Sequence, residues 1–225
     1  FFDIVTYTGD GSTTKTVSHN LNSTPGMIFF KRTDSTGNWI VYHANTPAGG
    51  YTQPYLRLNA TFPTTSLGDY GNNLAPTSTV IRTPVHTNSG NTADSVNVNG
   101  ATYVAYIFAH NNSDGEFGPD SDQDIIKCGS YTGDGTTNMS KQVDLGFEPQ
   151  WLMIKNASAS NDWMIFDNMR GITTGGNDND LRAQSSTDEG TGSNWIAINA
   201  TGFTFESANG KVNTSGNNYI YMAIR

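Results

Sequence analysis

The sequence predicts an all-β chain of two tandem antiparallel β-sandwich repeats, jelly-roll-like in outline. Three observations predict it. Gly, Asn, Ser and Thr supply 97 of the 225 residues, whereas charged residues are only 14%. All four are poor helix formers, which argues against bundles and coiled coils. Short β-branched or aromatic runs alternate with Gly/Asn/Asp/Ser/Pro clusters, at the spacing of about 8–12 residues typical of turn-linked strands. Finally, Tyr7-Thr8-Gly9-Asp10-Gly11 recurs as Tyr131-Thr132-Gly133-Asp134-Gly135, the signature of an internal repeat.

The repeat runs on in order. The same offset carries Pro25 onto Pro149, Lys31 onto Lys155, Trp39 onto Trp163 and Tyr42 onto Phe166. A shorter offset carries Val96-Asn97 onto Val212-Asn213, Gly100 onto Gly216 and Tyr103 onto Tyr219. These matches place repeat 1 at 1–111, an acidic linker at 112–124 and repeat 2 at 125–225. Strands are expected at Ile4–Thr8, Lys15–Asn20, Met27–Arg32, Trp39–His43, Tyr55–Leu58, Ser78–Arg82, Ser95–Val98 and Tyr103–His110. The second copy repeats most of them, from Ile125–Thr132 to Tyr219–Ile224. A short helical turn is allowed near Phe166–Ile172.

Several residues have two readings each. Gly9-Asp10-Gly11 has the chemistry of a tight hairpin turn and lacks the Lys-Ser/Thr of a phosphate loop. Trp39 and Trp163 open apolar runs, as buried core indoles or as platforms for sugar rings. Lys31 and Lys155 end apolar strands, which points to solvated strand ends, with a salt bridge or ligand contact as the alternative. His43 aligns with Asp167, as a surface or strand-end position would.

Taken together, Tyr7–Gly11, Val17-Ser18-His19-Asn20-Leu21, Thr24–Ile28, Trp39–His43 and Tyr103–His110 form one block. Cys128–Gly135, Leu145–Trp151, Phe166–Gly171 and Tyr219–Arg225 form a second. The combination resembles a tandem-repeat domain common in tail-fibre and other virion proteins of marine tailed phages, cyanophages among them. The resemblance covers nearly the whole chain. It implies a structural or adhesive role on the virion surface, other virion proteins and a host-surface glycan or protein as partners, and a homo-oligomer, with a trimer favoured. It brings no catalytic residues with it. A purely architectural role, as capsid decoration, head fibre or fibre shaft, is the alternative, and a glycan depolymerase is the third reading.

The formal net charge is −8 with 12 Lys and Arg, which argues against a nucleic-acid partner. The longest apolar run, Tyr103–Ala109, is too short to insert in a membrane. The chain opens on Phe1 without Met and reads as a fragment or a processed product. One cysteine, Cys128, excludes an internal disulfide framework and reads as a buried thiol. No cofactor is expected apart from one calcium candidate: Asp120, Asp122 and Asp124 alternate as oxygen ligands do, but Ile125 and Tyr131 stand where an EF-hand needs Gly and Glu. Asn177-Asp178-Asn179-Asp180 is a weaker cluster of the same kind. The four histidines all lie in the first copy and form no catalytic spacing, so no enzyme activity is expected. Tyr51 and Tyr70 sit among Gly, Asn and Asp without counterparts in copy two, a composition suited to recognition loops.

Overall fold

The computed structural model describes residues 1–47, 54–64, 75–83, 93–110, 124–172 and 175–225. The described residues are all-β, with only antiparallel pairing. The chain divides into two compact units. One comprises Phe1–Asn59 with Thr64–His110, the other Ala60–Pro63 with Asn111–Arg225. The assignment of Ala60–Pro63 to the second unit is a placement that no composition shift announces.

The first unit contains β1 (Phe2–Thr8), β2 (Thr16–Ser18), β3 (Pro25–Arg32), β4 (Trp39–His43), β5 (Leu56–Arg57), β6 (Val80–Arg82) and β7 (Thr102–Ala109). Five of these form a sheet in the order β1-β7-β3-β4-β5, and β2 pairs with β6. The reason is legible in β7, where Tyr103, Ala105, Ile107 and Ala109 alternate inward, as period-2 patterning requires. Ile28, Phe30, Ile40, Ala105 and Ile107 of the large sheet meet Ile81 and Val17 of the small one in a single core. The unit is therefore two-layered.

The second unit contains β8 (Ile126–Thr132), β9 (Gln142–Asp144), β10 (Trp151–Asn156), β11 (Trp163–Asp167), β12 (Asp178–Arg182), β13 (Gly190–Ser193), β14 (Ile196–Asn199), β15 (Gly202–Phe205) and β16 (Asn218–Ile224). Its large sheet runs β13-β12-β11-β10-β16-β8, and its small sheet runs β14-β15-β9. Both large sheets thus place the unit's last strand between its first and third. Val143, Ile196, Ile198, Phe203 and Phe205 of the small sheet share a core with Leu152, Ile154, Met164, Phe166 and Tyr221.

Three local expectations are corrected. Ser95–Val98, buried at Ser95, Val96 and Asn97, is not a strand, because its backbone is spent on other partners. The Val96 carbonyl accepts from the Tyr7 hydroxyl, the Asn97 carbonyl from Gly11 N, and Val98 N donates to the Tyr103 hydroxyl. Gly9-Asp10-Gly11 is a turn but not a hairpin, since β1 pairs with β7 and β2 with β6. The turn therefore carries the chain from one layer to the other. Phe166–Ile172 is strand and then turn: Arg170 N donates to Asp167 Oδ1, and Gly171 N and Ile172 N both donate to the Asp167 carbonyl.

Candidate functional site

Each unit carries the same clamp at the end of its first strand. Gly11 and Gly135 stand at φ 71° and 74°, a left-handed backbone that glycine adopts without strain. Gly9 and Gly133 lie so close to the carbonyls of Val98 and Thr214 that a Cβ would collide with them. Asp10 N donates to Asn97 Oδ1 at 3.0 Å, and Asn97 Nδ2 returns bonds to Asp10 Oδ1 (3.0 Å) and the Ser12 carbonyl (2.8 Å). Asp134, Asn213 and Thr136 repeat this at 3.1, 3.0 and 2.9 Å. Both asparagines are fully buried. Hydrogen bonds from the Ser12 backbone N–H and the Asn97 amide hold the Asp10 carboxyl well below the usual range. Those from Thr136, then Asn213, lower that of Asp134.

Paired tyrosines back the clamp. Tyr7 stacks on Tyr103 at 5.2 Å and Tyr131 on Tyr219 at 4.9 Å. The Tyr7 hydroxyl donates to the Val96 carbonyl and that of Tyr131 to the Val212 carbonyl, while Tyr103 and Tyr219 accept from Val98 N and Thr214 N. Burial pushes the phenols of Tyr7 and Tyr131 well up. The repeat marks these tyrosines in the sequence, but their pairing depends on strands that are distant in the chain.

A second duplicated feature lies on the central strands. Lys31 is the register partner of Trp39, and Lys155 of Trp163. The ammonium groups lie 5.8 and 6.0 Å from the indole centroids, within cation–π range. Lys31 Nζ donates to the Gly37 carbonyl and Lys155 Nζ to the Asn161 carbonyl, both at 2.5 Å. Amide side chains hold both indole strands. Asn59 accepts from Trp39 N and donates to Asn38 Oδ1, while Gln184 accepts from Trp163 N and donates to Asp162 Oδ1.

The two sites then part. Lys155 Nζ also donates to the Thr61 carbonyl at 2.8 Å, and Lys155 and Trp163 are 0% and 1% exposed. The solvated-end reading is therefore wrong at Lys155, and Trp163 presents no face to a sugar ring. Lys31 and Trp39 are only half-buried, and Trp39 stacks on Tyr106 at 6.0 Å. Burial lowers the Lys155 amine to about 7, against an upward pull from Asp162.

The Asn177–Asp180 cluster is a folding device. Asp178 and Asp180 are buried at 0% and 1% exposure on β12. Asp178 Oδ2 accepts from Trp195 N and Ile196 N, and Asp180 Oδ1 accepts from the Trp195 indole N–H. Arg182 Nε lies 3.2 Å from Asp180 Oδ2. Among the described residues, no group of three His, Cys, Asp or Glu is placed to share a metal ion. Of the calcium candidates, Asp124 is described and lies beside Gly146; Asp120 and Asp122 lie outside the described residues, as do Tyr51 and Tyr70. His43 and Asp167 are strand-end residues but buried, at 2% and 8% exposure. Each caps the adjoining turn, His43 Nδ1 accepting from Asn45 N as Asp167 does from Arg170 N.

Cys128 is buried on β8 and its thiol is pushed far up by desolvation. It is expected to resist a thiol reagent in the native protein and to react fully once unfolded. Counting labelled thiols by mass with and without denaturant checks this, and full labelling of the native chain would show the site to be open. Elsewhere, a cavity of about 350 Å³ in the second unit is lined by Gly146, Phe147, Glu148, Gln150, Asn168, Ala200 and Arg225. None of its lining residues carries a sequence expectation of binding.

The family model described as "Domain of unknown function (DUF7483)" matches residues 1–225. No curated protein matches the chain. Among solved structures, the "Crystal Structure of the STIV MCP" aligns with 99% of this chain and 96% of that chain, at 10% identity and a TM-score of 0.19.

Proposed function

We propose that this chain, which belongs over its whole length to the DUF7483 family, is a structural module of a virion surface that contacts a host-cell glycan or envelope protein. One observation supports the reading most. The two units share a skeleton down to single hydrogen bonds, at the Asp10–Asn97 and Asp134–Asn213 clamps and at the amides of Asn59 and Gln184. They differ in a stretch that follows their fourth strands. In the first, Tyr51 and Tyr70 lie between β4 and β6; in the second, the β12–β13 hairpin fills the corresponding stretch. A constant skeleton with divergent insertions is how recognition loops are carried on a β scaffold. The duplicated contacts also favour two copies of one module, as in the phage tail-fibre repeats the sequence resembles. In this proposal the chain works by binding, assembled as a homo-oligomer beside other virion proteins.

The test is a glycan array together with adsorption competition on marine bacterial cells, cyanobacteria included. The expected result is saturable binding to a restricted set of glycans, or to cells, that blocks adsorption. Absence of binding in both assays, with correctly assembled protein, would overturn the adhesive reading. The architectural reading is favoured by β1, a sheet-edge strand whose Phe2 and Ile4 are 41% and 51% exposed. Apolar edge strands are usually covered in an assembly.

A further inference from the structure

The Lys–Trp sites of the two units share four features. In each, lysine is the next-to-last residue of a central strand, faces a tryptophan across the strand pair, donates to a carbonyl six residues on, and has an amide side chain pinning the tryptophan strand. At the second site an extra segment completes the arrangement. The Thr61 carbonyl accepts from Lys155 Nζ at 2.8 Å and from Asn161 N at 2.9 Å. This segment, Ala60-Thr61-Phe62-Pro63, precedes β6 in sequence yet belongs to the second unit. Pro63 biases Phe62 toward extended backbone, and the Phe62 ring is 53% exposed. Main-chain hydrogen bonds at Thr61 therefore tie the segment to the site.

At the first site Lys31 has three ammonium donors, and among the described residues one carbonyl, Gly37, accepts from it. Its indole partner, Trp39, is half-buried, where Trp163 is 1% exposed. Asn38 N, which adjoins Gly37, is turned to the Ala93 carbonyl within its own unit. We propose that the Lys31–Gly37–Trp39 notch binds an extended segment of another polypeptide, uncharged and presenting a main-chain carbonyl to the ammonium, as Ala60–Pro63 does at Lys155. The occupant is set by the chemistry of the second site: there Lys155 Nζ, beside its indole and turn carbonyl, and Asn161 N both donate to a main-chain carbonyl of the segment. Such a contact would join this chain to a neighbouring protein and does not depend on glycan binding.

The probe is the capped heptapeptide Leu-Asn-Ala-Thr-Phe-Pro-Thr, residues 58–64 of this chain, titrated into the full-length isotope-labelled protein. The expected result is saturable shifts of the Trp39 indole and Gly37 amide resonances. Lys31→Gln should weaken binding about tenfold, the value of a charge-assisted hydrogen bond, and Lys31→Arg should retain most of it. Lys31 is half-buried at a strand end, and matching melting curves establish that the variants fold. Four outcomes would overturn the proposal: no shifts at millimolar peptide, shifts confined to Trp163 and Asn161, binding indifferent to Lys31→Gln, or Lys31-dependent shifts from a neutral oligosaccharide but not from the peptide.

Discussion

Asn213→Ala is expected to destabilise the second unit by about 3 kcal/mol, from three lost hydrogen bonds of about 1 kcal/mol each. The side chain is fully buried and joins Asp134 N, Asp134 Oδ1 and the Thr136 carbonyl. Alanine takes the amide away from all three groups and offers nothing in its place. For a domain of this size the melting temperature should fall by roughly 15 °C. Asn213→Asp separates hydrogen bonding from volume. It keeps the acceptor for Asp134 N but turns the donor end into a carboxylate oxygen facing Asp134 Oδ1. At neutral pH it should be at least as damaging as alanine, and partly relieved in acid as the new carboxylate protonates. Urea unfolding followed by tryptophan fluorescence measures both variants. A loss below about 1 kcal/mol would show that the clamp does not hold the turn. Asn97→Ala should produce the same loss in the first unit.

The Asp10 and Asp134 carboxyls give this clamp a pH dependence of definite sign. Both are lowered in the folded state, so the unfolded chain binds their protons first as pH falls. Their contribution is complete above the ordinary aspartate range and disappears as pH drops toward the folded values. Acid should therefore loosen both turns together.

Lys155 should reverse the usual expectation for a lysine hydrogen-bonded in a fold. Its folded value is about 7, against an ordinary 10.5, because desolvation of the ammonium outweighs the attraction of Asp162. Asp162 is itself shared with Lys211 at 2.8 Å and Arg182 at 3.6 Å. Between the two values the unfolded chain holds more protons, so stability from this group rises with pH. The gain should be about 3 kcal/mol from about pH 7 to about pH 9.5, below the range in which the buried tyrosines enter. The neutral amine keeps two N–H groups for the Thr61 and Asn161 carbonyls, so deprotonation need not release the segment. Lys155→Met preserves volume and abolishes the titration. The variant should lie close to the parent at pH 7, because lost hydrogen bonds and relieved desolvation offset one another. It should then fall progressively behind as pH rises. Chemical denaturation across that range is the measurement, and parallel profiles for parent and variant would refute the assignment.

Most strands were legible in the residues because strand formation is set by near neighbours. The alternation in Tyr103–Ala109 and the apolar run Met27–Phe30 need no distant partner to be recognised. Ser95–Val98 misled for the opposite reason. It has β-type residues, yet its polar backbone is engaged by Tyr7, Gly11 and Tyr103, whose positions depend on closure of the fold. Asp178 and Asp180 misled in the same way. Spacing suggested a cation site, and burial turned the carboxylates toward the backbone and indole of Trp195.

By itself, then, the sequence determined an all-β chain with the same turn chemistry written twice, since Gly9-Asp10-Gly11 and Gly133-Asp134-Gly135 constrain their own backbones. Only the tertiary structure decided what Lys31 and Lys155 do. The two lysines occupy equivalent strand positions, and nothing adjacent to either one separates a half-buried amine from a wholly buried one. At Lys155 the fold brings alongside the Thr61 carbonyl, 94 positions away in the chain. At these two positions burial is a property of what the folded chain brings alongside, and the immediate neighbours of the lysines do not encode it.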